Sequence, residues 1–146
     1  MLDGKKLGER AREIFETGVC CSEAVVCAIA EALDPENTMA YVKMSSGLCG
    51  GMGVASVCGV VTGGSCAIAI ALGRTSLTEE PAVKCSTITK NFFNVFEAEF
   101  TQTGCRELKA CVPEGKPVRQ FCAVLVERGT ELAAEVVNKN LIQPDN

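Results

Sequence analysis

The apolar residues of this chain recur at helical spacing along most of its length. From Lys5 to Thr17, Leu7, Ala11, Ile14 and Phe15 alternate with charged groups, and Gly18 stands where a helix C-cap glycine belongs, so an amphipathic first helix is predicted. Ser22 as N-cap, Glu23 in the first turn and an Ala/Val/Ile-rich run to Leu33 predict a second, largely buried helix. Asp34-Pro35 opens a third helix reaching about Ser46, which Gly47 ends. The stretch from Met44 to Gly73 carries no charge: a glycine-rich run over residues 47–53 leads into an apolar segment from Val54 to Leu72. It predicts a loop feeding a helix buried on all sides, with Cys58 in the first turn. Thr78-Glu79-Glu80 is expected to cap a long helix to Phe100, with Cys85, Ile88, Phe92, Val95, Phe96 and Phe100 along one side. A short helical segment over Cys105–Cys111 and a last amphipathic helix from Val118 to about Lys139 complete the series.

No segment alternates with period two, and neither an internal repeat nor a low-complexity tract occurs. The expected fold is all-α, a single bundle of about six or seven helices around a buried central helix, with residues 1–146 forming one domain. The segment from Val54 to Leu72 is long enough to span a bilayer and contains a GxxxG pattern at Gly59 and Gly63. Its serines, threonine and glycines, and the absence of flanking aromatic belts, favour a buried bundle helix over a membrane span. The glycine run lacks the Gly-Lys-Ser/Thr ending of a phosphate loop and follows a helix rather than a strand, so nucleotide binding is not expected.

Composition narrows the chemistry. Net charge is −4 with both signs interspersed, and there is no Trp and a single Tyr, which argues against a nucleic-acid partner. The first ten residues show no continuous apolar run after their lysines, the pattern of neither a secretory signal nor a transit peptide, so a cytoplasmic location is expected. Ten cysteines in that compartment point to metal or redox work rather than to a secreted disulfide framework. With no histidine in the chain, the commonest general base and zinc nitrogen ligand are missing, and chemistry falls to thiols and carboxylates.

Cysteine spacing sets limits. There is no CxxC, so thioredoxin-type, zinc-knuckle and haem-attachment motifs are unsupported. Cys58 and Cys66 lie about 12 Å apart along a helix and Cys20 and Cys27 about 10 Å, too far for disulfides, so a working set must come from different elements. Cys21, Cys58, Cys105 and Cys122 sit at or near predicted helix starts, where the partial positive charge and free N–H groups favour thiolate over thiol. Cys122 is the weakest of these, a full turn into its helix. Cys27, Cys66 and Cys85 read as small hydrophobes on apolar faces. Cys20, Cys49 and Cys111 remain unassigned, with Cys111 near enough to Cys105 to act as a resolving thiol or substitute ligand.

Over nearly its whole length the chain resembles the C_GCAxxG_C_C family, small prokaryotic redox proteins with four characteristic cysteines. Cys21-Ser22-Glu23-Ala24-Val25 resembles the first cysteine segment. Gly50-Gly51-Met52-Gly53 with Cys58-Gly59-Val60-Val61-Thr62-Gly63 resembles the glycine loop and central motif. Gly104-Cys105-Arg106-Glu107-Leu108 and Phe121-Cys122 resemble the last two. Val60 stands where the pattern has alanine. The resemblance implies a redox role with cysteines as the working groups.

Three readings follow. In the first, Cys21, Cys58, Cys105 and Cys122 converge and ligate an iron–sulfur cluster, [2Fe-2S], for electron transfer to a redox partner, protein or small molecule; dispersed ligands suit this better than structural zinc. In the second, a dithiol/disulfide oxidoreductase, Cys58 attacks and Cys21 or another of the four resolves. In the third, the domain holds zinc or merely packs, a form compatible with a homo-oligomer.

Overall fold

Asp3 accepts a hydrogen bond from the Lys6 N–H at 3.2 Å and so caps the first helix, α1 (Gly4–Glu16), which Gly18 ends with a φ of 108°. The computed structural model describes residues 1–81 and 83–141, and among them the remaining helices are α2 (Cys21–Leu33), α3 (Thr38–Ser45), α4 (Gly59–Leu72), α5 (Cys85–Phe100), α6 (Cys105–Ala110) and α7 (Val118–Leu141). The fold is an all-α bundle, with no β-strand among the described residues.

Helices α2, α4 and α7 pack on one another at the centre; α1 lies along α7 and α2, α5 covers α4 and α7, and α3 packs on α2. The charge-free sequence of α4 suits this position, because Val60, Val61, Ala67 and Ile68 are buried and glycines let its neighbours come close. From α5, Phe92 and Phe96 are fully buried, with ring centroids 6.3 Å apart. None of the described helices is long and apolar enough to cross a membrane.

Four of the expected helices have boundaries other than those the sequence suggests. The segment expected to be helical from Val54 becomes helical at Gly59, so Cys58 is the N-cap of α4 and not part of its first turn. Residues 50–55 instead form a wide turn, closed by the Ser56 N–H on the Gly51 carbonyl oxygen at 3.0 Å, in which Met52 and Ala55 join the glycines at positive φ. Val57 then pairs with Gly104 in an isolated antiparallel bridge. There Cys58 N–H donates to Thr103 O at 2.8 Å and Cys105 N–H to Ser56 O at 2.6 Å. These backbone groups find partners in a distant segment, which a helix through residue 54 would have denied them.

The helix expected from Thr78 begins at Cys85. Pro81 disfavours helical backbone at Glu80, and Arg74 holds this segment in a loop, donating to Ser76 O at 3.1 Å, Glu79 O at 2.8 Å and the Glu80 carboxylate. The third helix is also shorter than expected: Pro35–Asn37 and Ser46–Leu48 are single tight turns flanking α3. The N-cap of α2 is Cys20 rather than Ser22, whose hydroxyl is buried and donates to Ser45 O at 3.1 Å, tying α2 to the end of α3.

Candidate functional site: a four-cysteine cavity beside a disulfide

Four elements present a cysteine to one region because of where each begins. Cys21 is the first residue of α2, Cys58 the N-cap of α4, Cys105 the first residue of α6 and Cys122 the fifth of α7. The bridge between Val57 and Gly104 sets Cys58 and Cys105 on adjacent strands of backbone. All four cysteines line a single cavity of about 320 Å³, whose walls include Phe15, Leu108, Phe121 and Leu125. Cys58 and Cys105 are 6% and 8% exposed; Cys21 and Cys122 are half-buried.

Glycines make room for the sulfurs. A Cβ at Gly59 would collide with Cys21 Sγ, and one at Gly51, where φ is +61°, would come 2.9 Å from Cys105 Cβ and 2.5 Å from Ser56 N. The backbone at Gly59 approaches the Cys21 sulfur more closely than any residue with a side chain permits, and Gly51 lets the wide turn close against Ser56 and Cys105.

The cavity's electrostatics set burial against dipoles. Burial pushes the Cys58 thiol up to about 12, although the N–H groups of Val60 and Val61 at the start of α4 favour its thiolate. Burial also raises Cys21, against the N–H groups of Gly50 and Ser22. Cys122 is raised chiefly by burial, with Lys109 and Arg119 opposing. Both cations line the cavity and no carboxylate does. Arg119 is held in place by hydrogen bonding to Phe15 O and by stacking 4.0 Å over the Phe15 ring.

Among the described residues, the one group of three or more candidate ligand atoms lying within 4.8 Å of one another is Cys20, Glu23 and Cys49. No three of the four cavity thiols are that close, so their sulfurs are spread more widely than a single tetrahedral zinc requires, roughly 3.8 Å for Zn–S bonds of about 2.3 Å.

Cys20 and Cys49 form a disulfide, with Cα atoms 5.9 Å apart across 29 residues of sequence. Spacing along the chain could not have found this pair, since packing of α2 against α3 brings its halves together. Lys109 and Arg119 were likewise missed, because surface-type cations carry no local signal for a cavity. Cys111 is exposed, its Sγ bonded to Glu107 O at 3.3 Å, and does not line the cavity. Cys27, Cys66 and Cys85 are half-buried outside it. Cys85 is the first residue of α5 and, as its place beside Ile88 and Phe92 suggests, packs partly buried against the core.

A family model described as "Putative redox-active protein (C_GCAxxG_C_C)" matches residues 19–136, a span that contains all four cavity cysteines. No curated protein and no solved structure matches.

Proposed function

Because the chain belongs to the C_GCAxxG_C_C family of putative redox-active proteins, we propose that Cys21, Cys58, Cys105 and Cys122 are the thiolate ligands of an iron–sulfur cluster, [2Fe-2S], held in the cavity for electron transfer. The reading rests on one observation: four thiols from four helices surround a cavity lined by two cations and no carboxylate.

The residues suit such a group. The donor set is all sulfur, as cluster ligation requires. Its spread exceeds that of a mononuclear zinc site. Gly59 lines the cavity and leaves beside Cys21 Sγ a space that a Cβ would fill. Lys109 and Arg119 would offset the negative charge of four thiolates, and the apolar walls would keep water from the sulfurs. The cluster would supply one-electron chemistry, with a reduction potential set by its burial and by N–H groups directed at the sulfurs.

Two other readings have less support. Cys58 as an attacking thiolate is opposed by the burial that raises its thiol to about 12, since attack needs the deprotonated form. Zinc shared by these four cysteines is opposed by their spacing.

The test is protein purified without oxygen and then reconstituted with iron and sulfide. The expected result is a coloured protein with about two iron atoms per chain. Single Cys→Ser changes at 21, 58, 105 or 122 should each lower iron content, while Cys27→Ser and Cys111→Ser should not. A colourless, iron-free protein after reconstitution overturns the proposal.

A further inference from the structure

The arginines of this chain are paired with carboxylates everywhere except on one face. Four of the six, Arg10, Arg12, Arg74 and Arg128, form salt bridges. Arg106 and Arg119 form none among the described residues. Their guanidinium groups donate to backbone instead, Arg106 to Val54 O at 3.3 Å and Arg119 to Phe15 O, which holds the side chains in place without cancelling their charge. Arg119 lines the cavity and Arg106 directly follows Cys105. With Lys109 and Lys116 they set four exposed cations against two carboxylates, Glu107 and Glu114, within residues 104–119 of a chain whose net charge is −4.

An apolar tip stands beside these cations. The wide turn over residues 50–55 carries Met52 and Val54 at 60% and 67% exposure, and its Gly50 lines the cavity. Val118, also exposed, lines the cavity from α7. Exposed apolar side chains edged by charge have the anatomy of a protein–protein contact, an apolar centre within a polar rim.

We propose that this face, made of the turn over residues 50–55, α6 and the first turn of α7, docks a small acidic one-electron carrier protein. The inference rests on the electron-transfer role proposed for the cavity. Unpaired cations speed encounter with a negative surface and repel a positive one, which commits the occupant to a carboxylate-rich patch. A second copy seated by the same face would set the cations against one another. A small anion would leave Met52 and Val54 uncovered. The complex belongs at the small end of interface sizes, with other electron-transfer encounters. Once docked, the carrier loses one electron to the group held in the cavity or takes one from it, and no covalent bond forms or breaks.

The probe is an acidic ferredoxin of the plant type, titrated by calorimetry into protein reconstituted with iron and sulfide, with a basic cytochrome c as the control carrier. The ferredoxin is expected to bind and the cytochrome is not, and ferredoxin affinity should fall at least about tenfold between roughly 20 and 200 mM sodium chloride. R106E and K116E should each weaken binding at least about fivefold, and K5E, at the start of α1, should leave it unchanged. Lys116 lies in the loop between α6 and α7, so K116E decides the matter even where R106E disturbs the turn it is bonded to. M52N, in which asparagine tolerates the φ of 61° at this position, should weaken binding without changing its salt dependence. Iron content and helix content are measured on every sample, and the titration is repeated on metal-free protein. A chain that takes up no iron therefore counts against the cluster, while its ferredoxin affinity still decides the docking. Absence of ferredoxin binding at low salt, equal binding of cytochrome c, or wild-type affinity in K116E overturns the proposal. So does phosphate displacing ferredoxin more strongly than chloride at equal ionic strength, which would assign the face to a small anion, or a dimer in sedimentation that M52N dissolves, which would assign it to a second copy.

Discussion

At Cys58 two influences on one sulfur point in opposite directions. The N–H groups of Val60 and Val61 favour its thiolate and burial favours its thiol; burial dominates because the side chain is cut off from solvent on nearly every side. A metal ion would reverse the balance, since a coordinated thiol is deprotonated outright. In protein stripped of metal, iodoacetamide at about pH 8 should therefore alkylate exposed Cys111 readily and leave Cys58 unmodified until the chain is denatured. Alkylation of Cys58 at a rate comparable to Cys111 in the folded protein would contradict the buried environment described.

Among elements, the contact between α4 and α7 explains how Val60 is accommodated where the family pattern has alanine. Gly129 on α7 faces it, and a Cβ there would clash with Val60 Cγ1. The extra methyls of Val60 occupy space that the missing side chain at 129 leaves free. Gly129→Ala should destabilise the protein by about 1–3 kcal/mol through overpacking. Adding Val60→Ala should restore much of that loss, a coupling of about 1 kcal/mol or more in a double-mutant cycle read by urea denaturation. Strict additivity would show that the two residues do not share this space. Both partners could be read from the sequence as small or apolar residues, but their opposition depends on how α4 and α7 are rotated against each other.

For the whole molecule, stability comes from the interior and little of it from surface charge. Phe92→Ala removes a fully buried ring packed over Gly64 and should cost about 3–5 kcal/mol. Arg10→Ala breaks a surface pair with Glu31, at 2.9 Å, and should cost under about 1 kcal/mol. The small term has a definite pH signature. Hydrogen bonding from Arg10, with its charge adding to this, holds the Glu31 carboxyl below the ordinary glutamate value of 4.5. A carboxyl depressed in the folded state stabilises above its unfolded value and loses that contribution as pH falls through its folded value. The difference between wild type and Arg10→Ala should thus be present near pH 7 and shrink as the pH is taken down to about 3. A difference that grows in acid would have the wrong sign for this pair.

From the residues alone come the all-α class, the burial of the central charge-free helix and the family's four cysteines, because helical periodicity, capping residues and lack of charge are local properties that neighbours along the chain impose. Even the placement of Cys21 and Cys105 at helix starts is local, set by the chain's turn into each helix. Three features needed the tertiary structure. Cys58 became an N-cap because Ser56, Val57 and Cys58 find their backbone partners in residues 103–105, far away in sequence. Cys20 and Cys49 became a disulfide because α2 and α3 pack side by side. Lys109 and Arg119 became the cavity's charges because α6 and the first turn of α7 close over it. In each case the deciding contact joins segments whose separation in sequence carries no periodic signal, so local propensity could supply the groups but not their meeting.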